Sequence, residues 1–290
     1  MRYLKVKLAE KAGFCFGVKR AVDLVYSECE QDKQVYTYGS IIHNEEVVKD
    51  LEKKGVIVLN TKEELELVET GTVIIRSHGV SKEIYDIFEH KNIKLVDATC
   101  PFVRKIHRIV RENSLENRDI VIVGNSSHPE VQGIKGWCLS KTHIVENEED
   151  VNNLEISNDK ICVVSQTTFN HEKYEIINKA IYNKFYKCDI IDVNTICNAT
   201  EERQKEAVEL AKESDVMIVI GGKNSSNTQK LYAICKKECN NTFYIQKSSD
   251  LKLDEIDSEA VVGITAGAST PNTIIKEVFN QCQKWVLKNY

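Results

Sequence analysis

The chain has 290 residues, 42% hydrophobic and 29% charged, which is typical of a globular protein with an ample core. Its net charge of −5 provides no general positive field for nucleic acid. The N-terminal residues carry charges inside their apolar run, unlike a signal peptide, and no stretch approaches the roughly 20 apolar residues that cross a membrane. We therefore expect a cytoplasmic protein that binds neither nucleic acid nor membrane.

Short apolar runs rich in β-branched residues alternate with amphipathic helical patterns along the whole chain. The runs that predict strands are Tyr3–Leu8, Val35–Tyr38, Val56–Leu59, Val73–Ile75, Ile93–Val96, Ile120–Val123, Ile161–Val164, Ile190–Val193, Val216–Ile220 and Val261–Ile264. Continuous apolar strands separated by helices indicate parallel sheets covered on both faces. No linker rich in glycine, serine or proline interrupts the pattern, so the units must pack directly on one another.

Three cysteines occupy the same place in a threefold internal repeat. Cys15, Cys100 and Cys197 each follow a predicted strand and open a helical pattern. Two sets of residues keep constant offsets from them, a glycine 24 residues later and a polar residue 28 residues later: Gly39, Gly124 and Gly221, then His43, His128 and Ser225. The repeat therefore predicts three α/β units related by pseudo-threefold symmetry.

We place these units at residues 14–99, 100–196 and 197–290. The third unit lacks a closing strand after its last helix, and residues 1–13 are expected to supply it. In parallel α/β sheets, ligands bind beyond the carboxyl ends of the strands, where the polar motifs of this chain fall. Pro101, Pro129 and Pro271 follow such motifs and each predicts a helix that begins there.

The position of the three cysteines favours metal chemistry. A helix N-terminus favours a thiolate over a thiol, and three converging thiolates would repel one another without a metal centre. Thiolates usually hold iron–sulfur clusters, and four cysteines saturate one, so three would leave one iron open for chemistry. Ten cysteines in a cytoplasmic chain point the same way, because disulfides are rare there.

Polar loops follow the predicted strands and present imidazoles, hydroxyls, amides and helix N-termini, which together suit a phosphorylated or diphosphate ligand. The segments are I-I-H-N-E-E, R-S-H-G-V, S-S-H-P-E-V, S-Q-T-T, K-N-S-S-N and A-G-A-S-T-P. Structural roles compete with this interpretation: serine and asparagine often only cap helices, and Glu130 can simply complement a helix dipole. No dinucleotide-binding or P-loop motif follows a strand.

Taken together, these segments resemble the 4-hydroxy-3-methylbut-2-enyl diphosphate reductase family over essentially the whole chain. The likeness rests on G-F-C-F-G-V-K-R-A, H-N-E-E-V, S-H-G-V, D-A-T-C-P, S-H-P-E-V, S-Q-T-T, C-N-A-T, G-K-N-S-S-N and T-A-G-A-S-T-P, in the family's order. The resemblance implies a cloverleaf of three α/β units around a central 4Fe–4S cluster. It also implies a monomer and an external electron donor of the ferredoxin or flavodoxin type.

The resemblance further implies residue roles. Cys15, Cys100 and Cys197 would hold one 4Fe–4S cluster with one open iron, which binds the substrate hydroxyl. Two electrons and two protons would then remove that hydroxyl as water and give isopentenyl and dimethylallyl diphosphate. Glu130 would donate the proton, with Thr167 relaying and positioning it. The diphosphate would be held by His43, His78, His128, Ser225, Ser226, Asn227 and Ser269.

Three other classes of protein compete with a reductase. A quinolinate-synthase-like dehydratase also resembles a triangle of α/β units around a three-cysteine cluster, but it would need no external electrons. A non-catalytic iron–sulfur sensor would need neither a diphosphate site nor an acid. A structural zinc protein would have no use for an open ligand position.

Overall fold

A computed structural model describes residues 5–288 except 32, 90, 92, 253–255 and 258. The chain divides into two compact units. One contains the described residues of 1–19, 43–49 and 198–290, and the other contains those of 20–42 and 50–197.

Helices and strands alternate along both units, as the hydrophobic pattern predicts. The strands are β1 Lys5–Leu8, β2 Val35–Tyr38, β3 Ile57–Leu59, β4 Thr72–Ile75, β5 Lys94–Asp97, β6 Asp119–Val123, β7 Thr142–Val145, β8 Lys160–Ser165, β9 Asp189–Val193, β10 Val216–Ile220, β11 Thr242–Ile245 and β12 Val261–Ala266. The helices are α1 Phe16–Cys29, α2 Glu45–Lys53, α3 Lys62–Glu66, α4 Lys82–Phe88, α5 Pro101–Leu115, α6 Pro129–Lys135, α7 Glu148–Asn152, α8 His171–Lys184, α9 Asn198–Lys212, α10 Ser226–Glu238 and α11 Asn272–Lys288. Of the predicted first strand, Tyr3 and Leu4 lie outside the described residues.

The strands form three parallel four-stranded sheets with one shared topology, which confirms the predicted α/β fold. Their orders are β3-β2-β4-β5, β7-β6-β8-β9 and β11-β10-β12-β1. In each sheet the first strand after the helix that follows a repeat cysteine is an inner strand, and the strand that leads to the next repeat cysteine lies at one edge. The N-terminal strand β1 fills that edge position in the third sheet, where Leu8 pairs in register with Ile264 of β12. The unit limits 14–99, 100–196 and 197–290 stay a prediction.

The glycines at the constant offset make equivalent contacts in the three sheets. Each directly follows a central strand, and its N–H donates to the carbonyl of the last residue of the neighbouring edge strand. These N···O distances are 2.7–2.9 Å and join Gly39 to Leu59, Gly124 to Val145 and Gly221 to Ile245. The sequence repeat therefore corresponds to a repeated turn.

The second sheet shows how continuous apolar strands produce a core with two sides. Successive residues of a strand point to opposite faces. Val121 and Val123 of β6 pack on one face with residues of α8, whereas Ile120 and Ile122 pack on the other face with residues of α5 and α6. All four side chains are fully buried. Burial of such a side chain contributes roughly 1.5–3 kcal/mol, so both faces stabilise the sheet.

Two of the three prolines begin helices as predicted: Pro101 is the first residue of α5 and Pro129 the first of α6. Pro271 directly precedes α11. Among the described residues, no helix is both long enough and apolar enough to span a bilayer.

Candidate active site

Each cysteine of the repeat stands where an edge strand gives way to a helix. Cys15 directly precedes α1, Cys100 is the N-cap of α5, and Cys197 directly precedes α9. All three residues are half-buried. This position leaves each thiol reachable from outside the core and places it at a helix start, where free N–H groups point outward.

An equivalent backbone hydrogen bond fixes each of these cysteines to the adjacent strand of its sheet. The cysteine N–H donates to a carbonyl two residues beyond the end of β12, β4 or β8. The N···O distances are 3.2, 3.0 and 3.0 Å and join Cys15 to Ala268, Cys100 to Ser77 and Cys197 to Thr167. Each acceptor loop carries a predicted substrate residue: Ser269, His78 or Thr167 itself. The fold thus places cysteine and polar loop side by side in every sheet.

Most of the other cysteines are buried thiols that do not suit metal binding. Burial raises the pKa of Cys162 and of Cys235 to about 12 and that of Cys138 and of Cys282 to about 11. These groups stay protonated at neutral pH, and a metal ligand must be a thiolate. The half-buried cysteines at helix starts therefore match the donor set of an iron–sulfur cluster, and the buried ones do not.

Glu130 lies in the first turn of α6, and its side chain is only 2% exposed. Thr167 contacts both of its carboxyl oxygens. The Thr167 N–H donates to Oε1 at 2.6 Å, and the Thr167 hydroxyl donates to Oε2 at 2.8 Å. An acid that only complements a helix dipole needs to lie near the first turn, and it needs neither burial nor specific partners. The dipole role therefore does not account for a buried carboxylate that accepts two hydrogen bonds.

The two contacts restrict where Glu130 can carry a proton. A backbone N–H can only donate, so Oε1 remains an acceptor in either protonation state. A hydroxyl can both donate and accept, so a proton on Oε2 would point to the Thr167 hydroxyl. Thr167 also accepts the hydrogen bond from the Cys197 N–H through its carbonyl. One residue therefore connects the candidate acid to a candidate cluster ligand.

His128 acts as the N-cap of α6. Its Nδ1 accepts a hydrogen bond from the Glu130 N–H at 3.1 Å. In a neutral imidazole the proton then lies on Nε2, which makes that atom a donor. The ring of His78 approaches the His128 ring edge-on, with a centroid distance of 5.6 Å. The structure therefore brings these two predicted diphosphate ligands together beside Glu130.

The glycine of the S-H-G-V segment has a packing role. Gly79 has a φ of +71°, and a Cβ there would lie 2.7 Å from Cε1 of His107. Burial lowers the pKa of His107 to about 4, so its imidazole is neutral, and it stacks on the Trp137 indole at 5.2 Å. His107 has no predicted functional role, and its position in the core agrees with that.

In the other compact unit, the predicted ligands Ser225 and Ser269 meet at the start of α10. Ser225 is its N-cap and accepts a hydrogen bond from the Thr228 N–H at 3.3 Å. Ser269 is 3.4 Å from the Ser225 hydroxyl and donates to the His43 carbonyl at 3.1 Å. Ser226 is the first residue of α10. Four of the predicted ligands thus come from three separate segments of this unit.

A glycine permits the approach of the segment that carries His43. A Cβ on Gly222 would lie 2.7 Å from the His43 carbonyl oxygen, closer than two such atoms can come. Gly222 follows β10 in the G-G-K-N-S-S-N segment. A larger residue would push His43 away from Ser225 and Ser269.

Asn227, in the first turn of α10, is the clearest sign of a ligand site in this unit. Its side chain is 4% exposed, and neither its Nδ2 nor its Oδ1 has a hydrogen-bond partner in the described part of the chain. A buried amide without partners costs about 1–3 kcal/mol. A bound anion would accept a hydrogen bond from Nδ2 and remove that part of the penalty.

A family model described as LytB protein matches residues 6–283. The chain belongs to the LytB family. It is 47% identical over 280 residues to the 4-hydroxy-3-methylbut-2-enyl diphosphate reductase of Caldanaerobacter subterraneus subsp. tengcongensis, covering 96% of each chain. It is 46% identical to the enzyme of that name from Alkaliphilus oremlandii, covering 96% of this chain and 99% of that one.

Solved structures share the fold with this LytB-family chain. The E-1-hydroxy-2-methyl-but-2-enyl-4-diphosphate reductase of Plasmodium falciparum superposes with a TM-score of 0.90 at 31% identity, covering 97% of this chain and 88% of that one. A structure of (E)-4-hydroxy-3-methyl-but-2-enyl diphosphate reductase gives a TM-score of 0.71 at 40% identity, with coverages of 97% and 99%.

Proposed function

We propose that this LytB-family chain reduces 4-hydroxy-3-methylbut-2-enyl diphosphate to isopentenyl diphosphate and dimethylallyl diphosphate, the final step of the methylerythritol phosphate route to isoprenoids. The main support is the backbone hydrogen bond from the Cys197 N–H to the Thr167 carbonyl. Thr167 also binds the buried Glu130 carboxyl group, so a candidate cluster ligand and the candidate acid share one neighbour. The names of the relatives support the same reaction and favour it over a dehydratase or a sensor.

The reaction consumes two electrons and two protons. The C–O bond of the substrate hydroxyl breaks, and one proton leaves with the oxygen as water. The second proton forms the new C–H bond of the product. The two electrons would come from an external donor of the ferredoxin or flavodoxin type, because a side chain oxidised in one turnover would have to be reduced again before the next.

Cys15, Cys100 and Cys197 would hold a 4Fe–4S cluster through three thiolates. When bound, such a cluster supplies one-electron chemistry and an open iron that polarises the substrate hydroxyl. The protein's own contribution is to keep three thiolates at helix starts, each fixed by the equivalent hydrogen bond to its neighbouring loop.

Glu130 would hold the proton for the departing oxygen. Its Oε1 is fixed by the Thr167 N–H, so the transferable proton would lie on Oε2 beside the Thr167 hydroxyl. A hydroxyl that accepts one proton and donates another can pass it on without moving its oxygen. Thr167 would thus relay the proton and keep the Glu130 carboxyl in one orientation. General acid catalysis of this kind contributes about 10²–10⁴ in rate.

The diphosphate would be held by uncharged donors and imidazoles. The start of α10 offers N–H groups, the Asn227 amide and the hydroxyls of Ser225 and Ser226, and Ser269 lies beside Ser225. Helix N-termini attract anions through free N–H groups and the helix dipole. His43, His78 and His128 would add imidazole donors, which can carry a positive charge beside an anion.

The decisive experiment is anaerobic turnover of 4-hydroxy-3-methylbut-2-enyl diphosphate with reduced methyl viologen and cluster-loaded protein, with both products measured. We expect both diphosphate products to form, and no reaction without the reductant. A loaded, brown protein that consumes no viologen in the presence of substrate would contradict it. We further propose that the enzyme works as a monomer in the cytoplasm.

A further inference from the structure

Arg20 of α1 binds the backbone of the segment that leads into Cys100. Its Nη2 donates to the Asp97 carbonyl at 3.1 Å, and its Nη1 donates to the Thr99 carbonyl at 3.3 Å. Thr99 directly precedes Cys100. The planar guanidinium therefore fixes two peptide groups that are two residues apart, next to a candidate cluster ligand.

Arg203 of α9 binds two backbone carbonyls in a similar way in the other compact unit, in the segment that leads into Cys15. Its Nε donates to the Lys11 carbonyl at 2.8 Å, and its Nη2 donates to the Gly13 carbonyl at 2.7 Å. These acceptors are again two residues apart and lie just before the cysteine. The Arg203 side chain is buried, so its charge is held close to this segment.

The two arginines occupy related places in the repeat. Arg20 lies five residues after Cys15 and binds the segment of Cys100, and Arg203 lies six residues after Cys197 and binds the segment of Cys15. Two of the three helices that begin at a repeat cysteine, α1 and α9, therefore carry an arginine that binds the segment before another repeat cysteine. The segment of Cys197 is fixed differently: its Thr195 accepts a hydrogen bond from the Ser165 N–H at 2.8 Å.

A structural ion pair does not account for Arg20. Among the described residues it forms no ion pair with a carboxylate, and its hydrogen bonds go to the two carbonyls. A charged group that is half-buried without a counterion is costly, and a nearby anion would repay that cost. An iron–sulfur cluster with thiolate ligands carries negative charge and gains more on reduction.

We propose that Arg20 and Arg203 are positioning residues for the cluster ligands Cys100 and Cys15. By fixing the peptides before each cysteine they set the direction of the thiolate, and their charge stabilises the reduced cluster. The inference rests on the proposed function only in requiring that the cysteines hold a cluster. Residues that orient metal ligands typically change metal affinity by 10–100-fold when they are replaced.

The test compares Arg20→Gln, Arg203→Gln and the corresponding lysine variants with wild type, all loaded anaerobically. Arg118→Gln is the matched control. Arg118 is also buried and donates to the Asp189 carbonyl at 3.1 Å, but Asp189 begins β9, at the end of the strand away from Cys197. The readouts are iron per chain, the rate of iron loss to a ferrous chelator, the midpoint potential, the EPR spectrum of the reduced cluster and the melting temperature.

The glutamine variants at 20 and 203 should bind iron about 10–100-fold less tightly and show a lower midpoint potential and a shifted EPR spectrum. The lysine variants keep the positive charge but lose the two-pronged guanidinium that binds both carbonyls. Their midpoint potential should therefore stay closer to the wild-type value than their iron affinity does. Arg118→Gln should lower only the melting temperature.

Wild-type potentials and iron retention in both glutamine variants would overturn the proposal, as would equal losses in Arg118→Gln. Arg20 is half-buried, so Arg20→Gln carries the test if the variant of the buried Arg203 does not fold. No readout uses a diphosphate, so a protein that holds iron but reduces no substrate would contradict the proposed function alone.

Discussion

Thr167 holds both oxygens of the Glu130 carboxyl group, with its N–H 2.6 Å from Oε1 and its hydroxyl 2.8 Å from Oε2. The two residues come from different strand ends, α6 after β6 and the loop after β8. The contact explains why a carboxyl group is almost fully buried here. Glu130 differs in this respect from the acids at the start of α2, which are exposed.

Glu130→Gln should lower kcat by about 10²–10⁴ while iron content and substrate binding are retained, because the amide keeps the shape but carries no transferable proton. Glu45→Gln is the matched control, since Glu45 has the same place relative to His43 that Glu130 has relative to His128. It should leave kcat unchanged. The measurements are anaerobic kcat and KM together with iron per chain. A near wild-type kcat in cluster-loaded Glu130→Gln would exclude Glu130 as the proton donor.

Asn227→Leu should leave the melting temperature of the substrate-free protein unchanged or higher, because it removes two buried polar atoms without partners. The same change should raise KM about tenfold to a hundredfold if the amide binds the diphosphate. Thr265→Val is the control: its hydroxyl is also buried without a partner, but it lies within β12. That variant should raise stability with an unchanged KM. If Asn227→Leu and Thr265→Val have the same KM, Asn227 does not bind the substrate.

The buried, neutral His107 should make the protein less stable in mild acid. Burial lowers its pKa from 6.5 to about 4 in the folded protein. Between these values the unfolded chain binds a proton that the folded chain does not, so the free energy of unfolding falls as the pH drops from 6.5 to 4. The full effect is about 3 kcal/mol. Melting temperatures measured from pH 7.5 to 5 should fall less steeply in His107→Gln than in wild type, and parallel curves would contradict the assignment.

Replacement of each of the ten cysteines by serine should separate ligands from buried thiols. Loss of Cys15, Cys100 or Cys197 should reduce iron per chain and visible absorbance. The other seven variants should keep both, even where the change of a buried cysteine lowers stability. An iron-free protein after replacement of any of those seven, together with a dispensable repeat cysteine, would refute the repeat argument.

Much of the fold follows from the sequence because its strands are continuous apolar runs and its cysteines recur at fixed offsets. Two strands, β7 and β11, were not predicted. Their sequences, T-H-I-V and T-F-Y-I, are short, lie at sheet edges and are only partly buried, so they lack the continuous apolar signal of a central strand. Their presence follows instead from the repeat, since β3 holds the same position in the first sheet.

The candidate site residues could be proposed from motifs, but their contacts could not. No local pattern shows that the Thr167 hydroxyl meets the Glu130 carboxyl group 37 residues away, or that the Asn227 amide is buried without a partner. Arg20 and Arg203 were missed because an arginine in an amphipathic helix usually lies on a solvated face. The one available signal was their recurrence after a repeat cysteine.

The central claim is that this chain performs a two-electron reduction, and the electron count tests it most directly. Loaded protein, a limiting amount of reduced methyl viologen and excess 4-hydroxy-3-methylbut-2-enyl diphosphate are combined without oxygen, and oxidised viologen and products are counted. We expect two viologens to be oxidised for each molecule of isopentenyl or dimethylallyl diphosphate formed. Consumption of the substrate without viologen oxidation, to a dehydrated compound in place of these two products, would contradict it and indicate a dehydratase.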